Sequence, residues 1–154
     1  MDLILWRHAE AFDPRDGEDD LERALTPKGE RQAARMAEWL NHRLAASTRI
    51  LVSPARRTQQ TAQALGRKFR TVDAIAPDAG ADALLAAARW PDSVEPVLVV
   101  GHQPTLGLVA SCLIGGDPAR SWTVKKGAVW WLRSREREGA GQVVLQAVIG
   151  PECL

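Results

Sequence analysis

Three short apolar runs without polar alternation punctuate the first two thirds of the chain: Leu3-Ile4-Leu5-Trp6, Ile50-Leu51-Val52 behind Arg49, and Val97-Leu98-Val99-Val100. Runs of this length and β-branched content predict strands buried on both faces. Thr71 to Ile75 predicts a third strand, shorter, between the second and the Val97 strand. The stretches between them change period. Ala33, Ala37, Leu40 and Leu44 recur at helical spacing, widened by Met36 and Trp39, behind Thr26 as cap and Pro27 in the first turn. Ser53-Pro54 reads as a second cap-and-proline start, with Thr58, Ala62, Leu65 and Phe69 on one face. Residues 76–80 form a Pro/Gly loop, Ala81 to Trp90 is helical, and Pro91 to Pro96 connects. Pro104 opens a further helix carrying Leu106, Val109, Ala110 and Leu113, ending near Gly115-Gly116.

Beyond Lys125 the alternation of strand and helix stops. Ala128 to Leu132 and Gln142 to Ile149 read as two strands joined by a Gly-containing turn, a hairpin at the sheet edge. The fold class expected is α/β. It has three layers, α/β/α, with a mostly parallel central sheet and an antiparallel edge strand. One domain spans residues 1–154, long enough to bury roughly 70% of its unfolded surface.

Composition narrows the function. Apolar residues make up 45% and charged residues 25%, as in ordinary globular proteins. Twenty basic and 19 acidic residues leave a formal charge of +1, which argues against a general nucleic-acid binder. No apolar run is long enough to span a bilayer, and no signal-peptide pattern opens the chain. Cys112 and Cys153 form neither a disulfide framework nor a metal motif. A cytoplasmic monomer without cofactor is expected. Six tryptophans stand beside two phenylalanines and no tyrosine, and packing is their expected role.

The chemistry lies at the strand ends. The first strand ends in Arg7-His8, the second in Ser53-Pro54 leading to Arg56 and Arg57, and the Val97 strand in Gly101-His102. In a parallel sheet these ends share one edge, where ligands bind. Taken singly, a charged pair after a strand is no more than its polar end. Together they give two histidines and arginines around one crevice, suited to a dianion with an imidazole nucleophile at hand. Arg56 and Arg57 diverge by about 100° on a helix, so one of them faces the crevice. A metal would need a third ligand among repelling arginines, and His42 lies off the apolar stripe of its helix, as an exposed residue would. No P-loop and no GxSxG elbow is present. The acidic segment from Asp13 to Asp20 reads as a turn-rich, solvated loop.

Four blocks in order carry a resemblance. They are Arg7-His8-Ala9, Arg23-Ala24-Leu25-Thr26-Pro27-Lys28-Gly29, Ser53-Pro54-Ala55-Arg56-Arg57-Thr58-Gln59-Gln60-Thr61-Ala62, and Gly101-His102-Gln103-Pro104. They resemble the histidine phosphatase superfamily, with its phosphoglycerate mutase-like fold, and most of all its short SixA-type phosphohistidine phosphatases. The resemblance implies that His8 is the nucleophile taking the phosphoryl group and that Arg7 and Arg57 bind its oxygens. It also implies that His102 completes the pocket. One histidine must be neutral to attack, and the other can be cationic. Ester-hydrolysing members use a carboxylic acid to protonate the leaving oxygen. Asp78 and Glu10 are the candidates for that proton donor. A phosphohistidine needs such an acid less, because its N–P bond is labile and its leaving imidazole protonates readily. The short stretch between Phe69 and Val97 leaves little room for a cap over the site. Phosphohistidine on a protein is the expected substrate. A small phosphate ester, or a non-catalytic phosphate-binding role, are the alternatives. Neither nucleic acid nor membrane is an expected partner, and no metal site is expected.

Overall fold

A computed structural model describes residues 1–154. Its strands are β1 (Asp2–Arg7), β2 (Arg49–Val52), β3 (Arg70–Thr71), β4 (Val97–Gly101), β5 (Val129–Arg137) and β6 (Ala140–Ile149). Its helices are α1 (Pro27–Asn41), α2 (Arg56–Gln63), α3 (Ala81–Ala88) and α4 (Thr105–Ala110), the last extended by a π turn over Ser111–Gly115. They form one six-stranded sheet in the order β3-β2-β4-β1-β5-β6. The first four are mutually parallel, and β5 and β6 add antiparallel.

The unalternated runs have a direct explanation. Successive side chains of a strand point to opposite faces, and here both faces are covered. Ile4, Trp6, Leu98 and Val100 pack under α1 and α2 with Met36, Leu40 and Ala62. Leu3, Leu5, Val97 and Val99 pack under α3 and α4 with Leu84, Leu106 and Val109. Burial of each such Leu, Ile or Val contributes about 1.5–3 kcal/mol. The tryptophans pack as expected. Trp6 is fully buried and its Nε1 donates to the Gly127 carbonyl at 3.1 Å. Trp39 meets Trp131 edge-on, and Trp122 meets Trp130.

Thr26 caps α1, its Oγ1 accepting from Gly29 N–H at 3.0 Å. Gly29 itself is enforced by crowding, since a Cβ there would sit 1.9 Å from the Glu10 carbonyl oxygen. Four expectations are corrected. The strand read over Thr71 to Ile75 is only Arg70–Thr71. Its remainder turns into a 3-10 helix over Asp73–Ile75 that drops Ile75 into the core. The second helix starts after Ala55, without a side-chain cap, because the Ser53 hydroxyl is engaged elsewhere. It ends at Gln63, well short of Phe69, as the chain turns through Gly66 at φ +64°. The edge hairpin stands where it was expected, but its first strand does not stop at Leu132: β5 runs on to Arg137, because its polar end pairs with β6 beyond the core.

Candidate active site

Register brings the strand ends level. Arg7 pairs with Gly101 across β1 and β4, and Val52 pairs with Val100 across β2 and β4. The ladder continues one residue further on each side. His8 N–H donates to the Gly101 carbonyl at 3.2 Å, and Ser53 N–H to the Val100 carbonyl at 3.1 Å. Arg7, His8, Ser53 and His102 therefore share one edge, and α2 begins there with Arg57 in its first turn. The sequence expected these residues together, and the structure brings them together.

The two imidazoles face each other with ring centroids 5.5 Å apart, and both are nearly buried, at 5% and 4% exposure. His8 Nδ1 lies 2.7 Å from the Ala9 carbonyl oxygen. A carbonyl can only accept, so Nδ1 carries the proton and Nε2 keeps its lone pair. His102 Nε2 lies 2.6 Å from Ser53 Oγ. That hydroxyl accepts from Ala55 N–H at 3.3 Å and has no other acceptor in reach. Its proton goes to His102 Nε2, which leaves N–H on Nδ1. His8 is held at a pKa of about 3, first by burial and then by the charges of His102, Arg57 and Arg7, against the opposing bond to Ala9. His102 is also held at about 3, by burial first and then by Arg57 and Arg7, with Asp20 opposing. Both rings are neutral at neutral pH. A cationic second histidine, allowed by the sequence, is disfavoured here by desolvation first and then by the two nearby guanidiniums.

Arg7 Nη1 donates to the Val124 carbonyl at 2.8 Å. Arg57, 4% exposed, donates to the Asp20 carbonyl oxygen at 2.8 Å and to Asp20 Oδ2 at 3.1 Å. Burial lowers the pKa of both arginines, and for Arg7 the charge of Arg57 adds to it. Three buried nitrogens here have no hydrogen-bond partner: Arg7 Nε, Arg57 Nε and His102 Nδ1. Unsatisfied buried donors are costly, and a cluster of them among like charges fits a polyoxyanion with several acceptors. Of the two adjacent arginines, Arg57 is buried in the crevice and Arg56 is exposed.

Other expected residues separate. Glu10 Oε2 accepts from Thr26 Oγ1 at 2.7 Å, which ties it to the α1 cap. Asp78 is exposed, at φ +68°, and its charge reaches Arg57. Its loop is pinned beside the site by Thr105 Oγ1, which donates to the Ala79 carbonyl at 2.6 Å. His42 lies on the α1 surface with Nδ1 against the Glu38 carbonyl, away from the site. No group of three His, Cys, Asp or Glu side chains is placed to hold a metal ion.

Three residues were missed. Ser53 looked like a helix cap. Thr61 links α2 to the segment that carries His8, its Oγ1 accepting from Ala9 N–H at 3.1 Å, and the Arg57 to Thr61 spacing of one helical turn was the available signal. Asp20 was read as solvated. Burial acts to raise its carboxyl pKa, but its bonds and charge contacts with Arg23 and Arg57 outweigh that and hold it below the ordinary value.

The chain matches the histidine phosphatase superfamily (branch 1) over residues 3–80. It is 35% identical over 141 residues to an uncharacterised protein of Picosynechococcus sp., covering 87% of this chain and 86% of that protein. It is 28% identical over 131 residues to phosphohistidine phosphatase SixA of Escherichia coli K12, covering 80% of each. Its fold superposes with a TM-score of 0.81 on the protein histidine phosphatase SixA complexed with tungstate, covering 99% of both chains at 24% identity. The crevice and these likenesses agree, and the chain belongs to the histidine phosphatase superfamily, as a phosphatase.

Proposed function

We propose that this phosphatase removes phosphate from phosphohistidine on a protein, through a covalent phosphohistidine at His8. One observation carries the reading. A neutral imidazole with its Nε2 lone pair free lies against two guanidiniums and a second imidazole, each with one buried nitrogen that lacks a partner. His8 Nε2 attacks phosphorus while Arg7, Arg57 and His102 Nδ1–H hold the oxygens. The bond from phosphorus to the substrate's imidazole nitrogen breaks. Its electron pair stays on that nitrogen, which then takes up a proton. Water next attacks the phosphoryl group on His8 and releases phosphate, and His8 returns to its neutral form. A bound dianion also reverses the local field, which favours a cationic His102 during turnover.

Two features support a protein substrate. The relative named above is a phosphohistidine phosphatase. Between β3 and β4 there is only a 3-10 turn and α3, and α3 packs through Leu84 and Ala88 into the core beneath the sheet. A second reading, a small phosphate ester, is favoured by Asp78, whose charge reaches Arg57 and whose carboxylate makes no hydrogen bond, whereas Glu10 is tied to Thr26. In that case Asp78 supplies the leaving oxygen's proton.

The test follows phosphate release from a phosphohistidine peptide and from a phosphomonoester, with wild type and His8→Ala. Release from the peptide by wild type alone, with acid-labile phosphate trapped on His8, is expected. Faster ester turnover that collapses in Asp78→Asn moves the substrate to the second reading. Phosphate binding without release from either substrate refutes both and leaves a binding module.

A further inference from the structure

The rim of the crevice is divided by charge. On the β2 side lies the acidic segment 13–22, anchored by Asp20 on Arg57. Beside the crevice stand Lys125 and Lys126 of the loop before β5, and Lys28, Arg31 and Arg35 lie along α1 from its first turn onward, all exposed. Hydrogen bonds fix these cations beside the nucleophile. Gly127 N–H donates to the His8 carbonyl at 2.9 Å, and the Val124 carbonyl receives Arg7, so Lys125 and Lys126 lie between two anchors of the catalytic pair. Gln32 Oε1 accepts from Glu10 N–H at 3.0 Å, two residues past His8. The two groups of cations meet where Gln32 faces Gly127, since a Cβ on Gly127 would lie 3.8 Å from Gln32 Oε1.

Lys28, Arg31 and Arg35 line an open cavity of about 450 Å³ with Gln32, Pro151 and Glu152. Glu152 is the one carboxylate side chain in it; Arg35 Nη1 donates to the Leu154 carbonyl oxygen at 3.4 Å, and no carboxylate side chain lies within 4 Å of any of the five cations. With an overall charge of only +1, this concentration is local and points one way. No hydrophobic side chain lines the cavity, and three cationic heads at its wall suit carboxylates.

We infer that Lys28, Arg31, Arg35, Lys125 and Lys126 form a docking surface for an acidic face of the protein that carries the phosphohistidine. The inference rests on the proposed protein substrate and names the kind of partner. The acidic lip opposite repels the same face, so the partner is oriented as well as attracted. Rim charges of this kind act mainly on encounter and register.

The test uses two synthetic helical peptides, one rich in glutamate and one rich in lysine, each with a single histidine phosphorylated by phosphoramidate. Free phosphohistidine is the third substrate. Wild type should prefer the acidic peptide in kcat/KM, with the preference shrinking as salt rises. The triple variant Lys28→Glu, Arg31→Glu, Arg35→Glu should lose about 10-fold or more on the acidic peptide through KM. Its turnover of free phosphohistidine should stay within about 2-fold, which also shows that it folds. Anisotropy of the unphosphorylated, fluorescein-labelled peptides reads docking without catalysis. Equal binding of both peptides by wild type, or an acidic-peptide affinity unchanged in the triple variant, overturns the inference. Selective binding of the acidic peptide without any phosphate release refutes the proposed reaction and leaves the docking surface standing.

Discussion

Acid should loosen this fold at a pH well above the carboxylate range, and the two site histidines are the reason. In the unfolded chain each has an ordinary pKa of 6.5, and in the fold each is held at about 3. Between those values the unfolded state binds more protons than the folded state. Stability is therefore fully present above pH 6.5 and falls as pH drops toward 3. The loss is about 1.4 kcal/mol per pH unit for each histidine, or about 4 kcal/mol for the pair between pH 7 and pH 5. A domain with about 5–15 kcal/mol in hand feels that strongly. Asp2 and Asp20, whose pKa values are lowered, add acid sensitivity only below about pH 4, so the windows separate. Urea unfolding at pH 7 and pH 5 is the assay, and the midpoint should fall by about 2 M. His8→Asn should remove about half of that fall, and the double variant with His102→Asn most of it. Equal wild-type midpoints at the two pH values, or an undiminished fall in the double variant, would refute the reasoning.

Three further outcomes are expected. Arg57→Ala should lower kcat/KM for phosphate release by about 100-fold or more, and Arg56→Ala by less than about 3-fold, since only Arg57 is buried in the crevice; steady-state kinetics with either substrate checks the ranking. Ser53→Ala frees His102 Nε2 from its only partner; kcat should drop about 10- to 100-fold with little change in KM, and Ser53→Thr should restore part of it. Gly29→Ala forces a Cβ against the Glu10 carbonyl; denaturant unfolding should show a loss of about 2–4 kcal/mol, and a wild-type midpoint would remove the crowding argument.

The sheet and the meeting of Arg7, His8, Arg57 and His102 at one of its edges were legible because both rest on local signals. An unalternated apolar run ending in a polar residue marks a core strand and its mouth, and three such ends in one parallel sheet must converge. What escaped depends on register and on competition between partners. Ser53 has the sequence context of a cap, and only the Val52 to Val100 pairing lifts it level with His102. Asp20 is one acidic residue among several in its loop, and the 3-10 turn over Asp20–Glu22 selects it for Arg57. The neutrality of His102 follows from summed burial and charge, which no spacing reveals. The brevity of β3 reflects its place at the sheet edge, where one neighbour holds it through two residue pairs.

The bond between Asp20 and Arg57 has a consequence for ligand exchange. The resting crevice already holds an internal counter-ion: a carboxylate 51% exposed on an arginine that is 4% exposed. Phosphate that takes the Nη edge of that guanidinium, and not its free Nε alone, must displace Asp20 rather than fill an idle charge. Its measured affinity then reports the difference between two anions, a fixed monoanion and a visiting dianion. Weak monoanions in the surrounding solvent gain little by that trade, whereas a phosphoryl group, with more oxygens and more charge, gains at every contact.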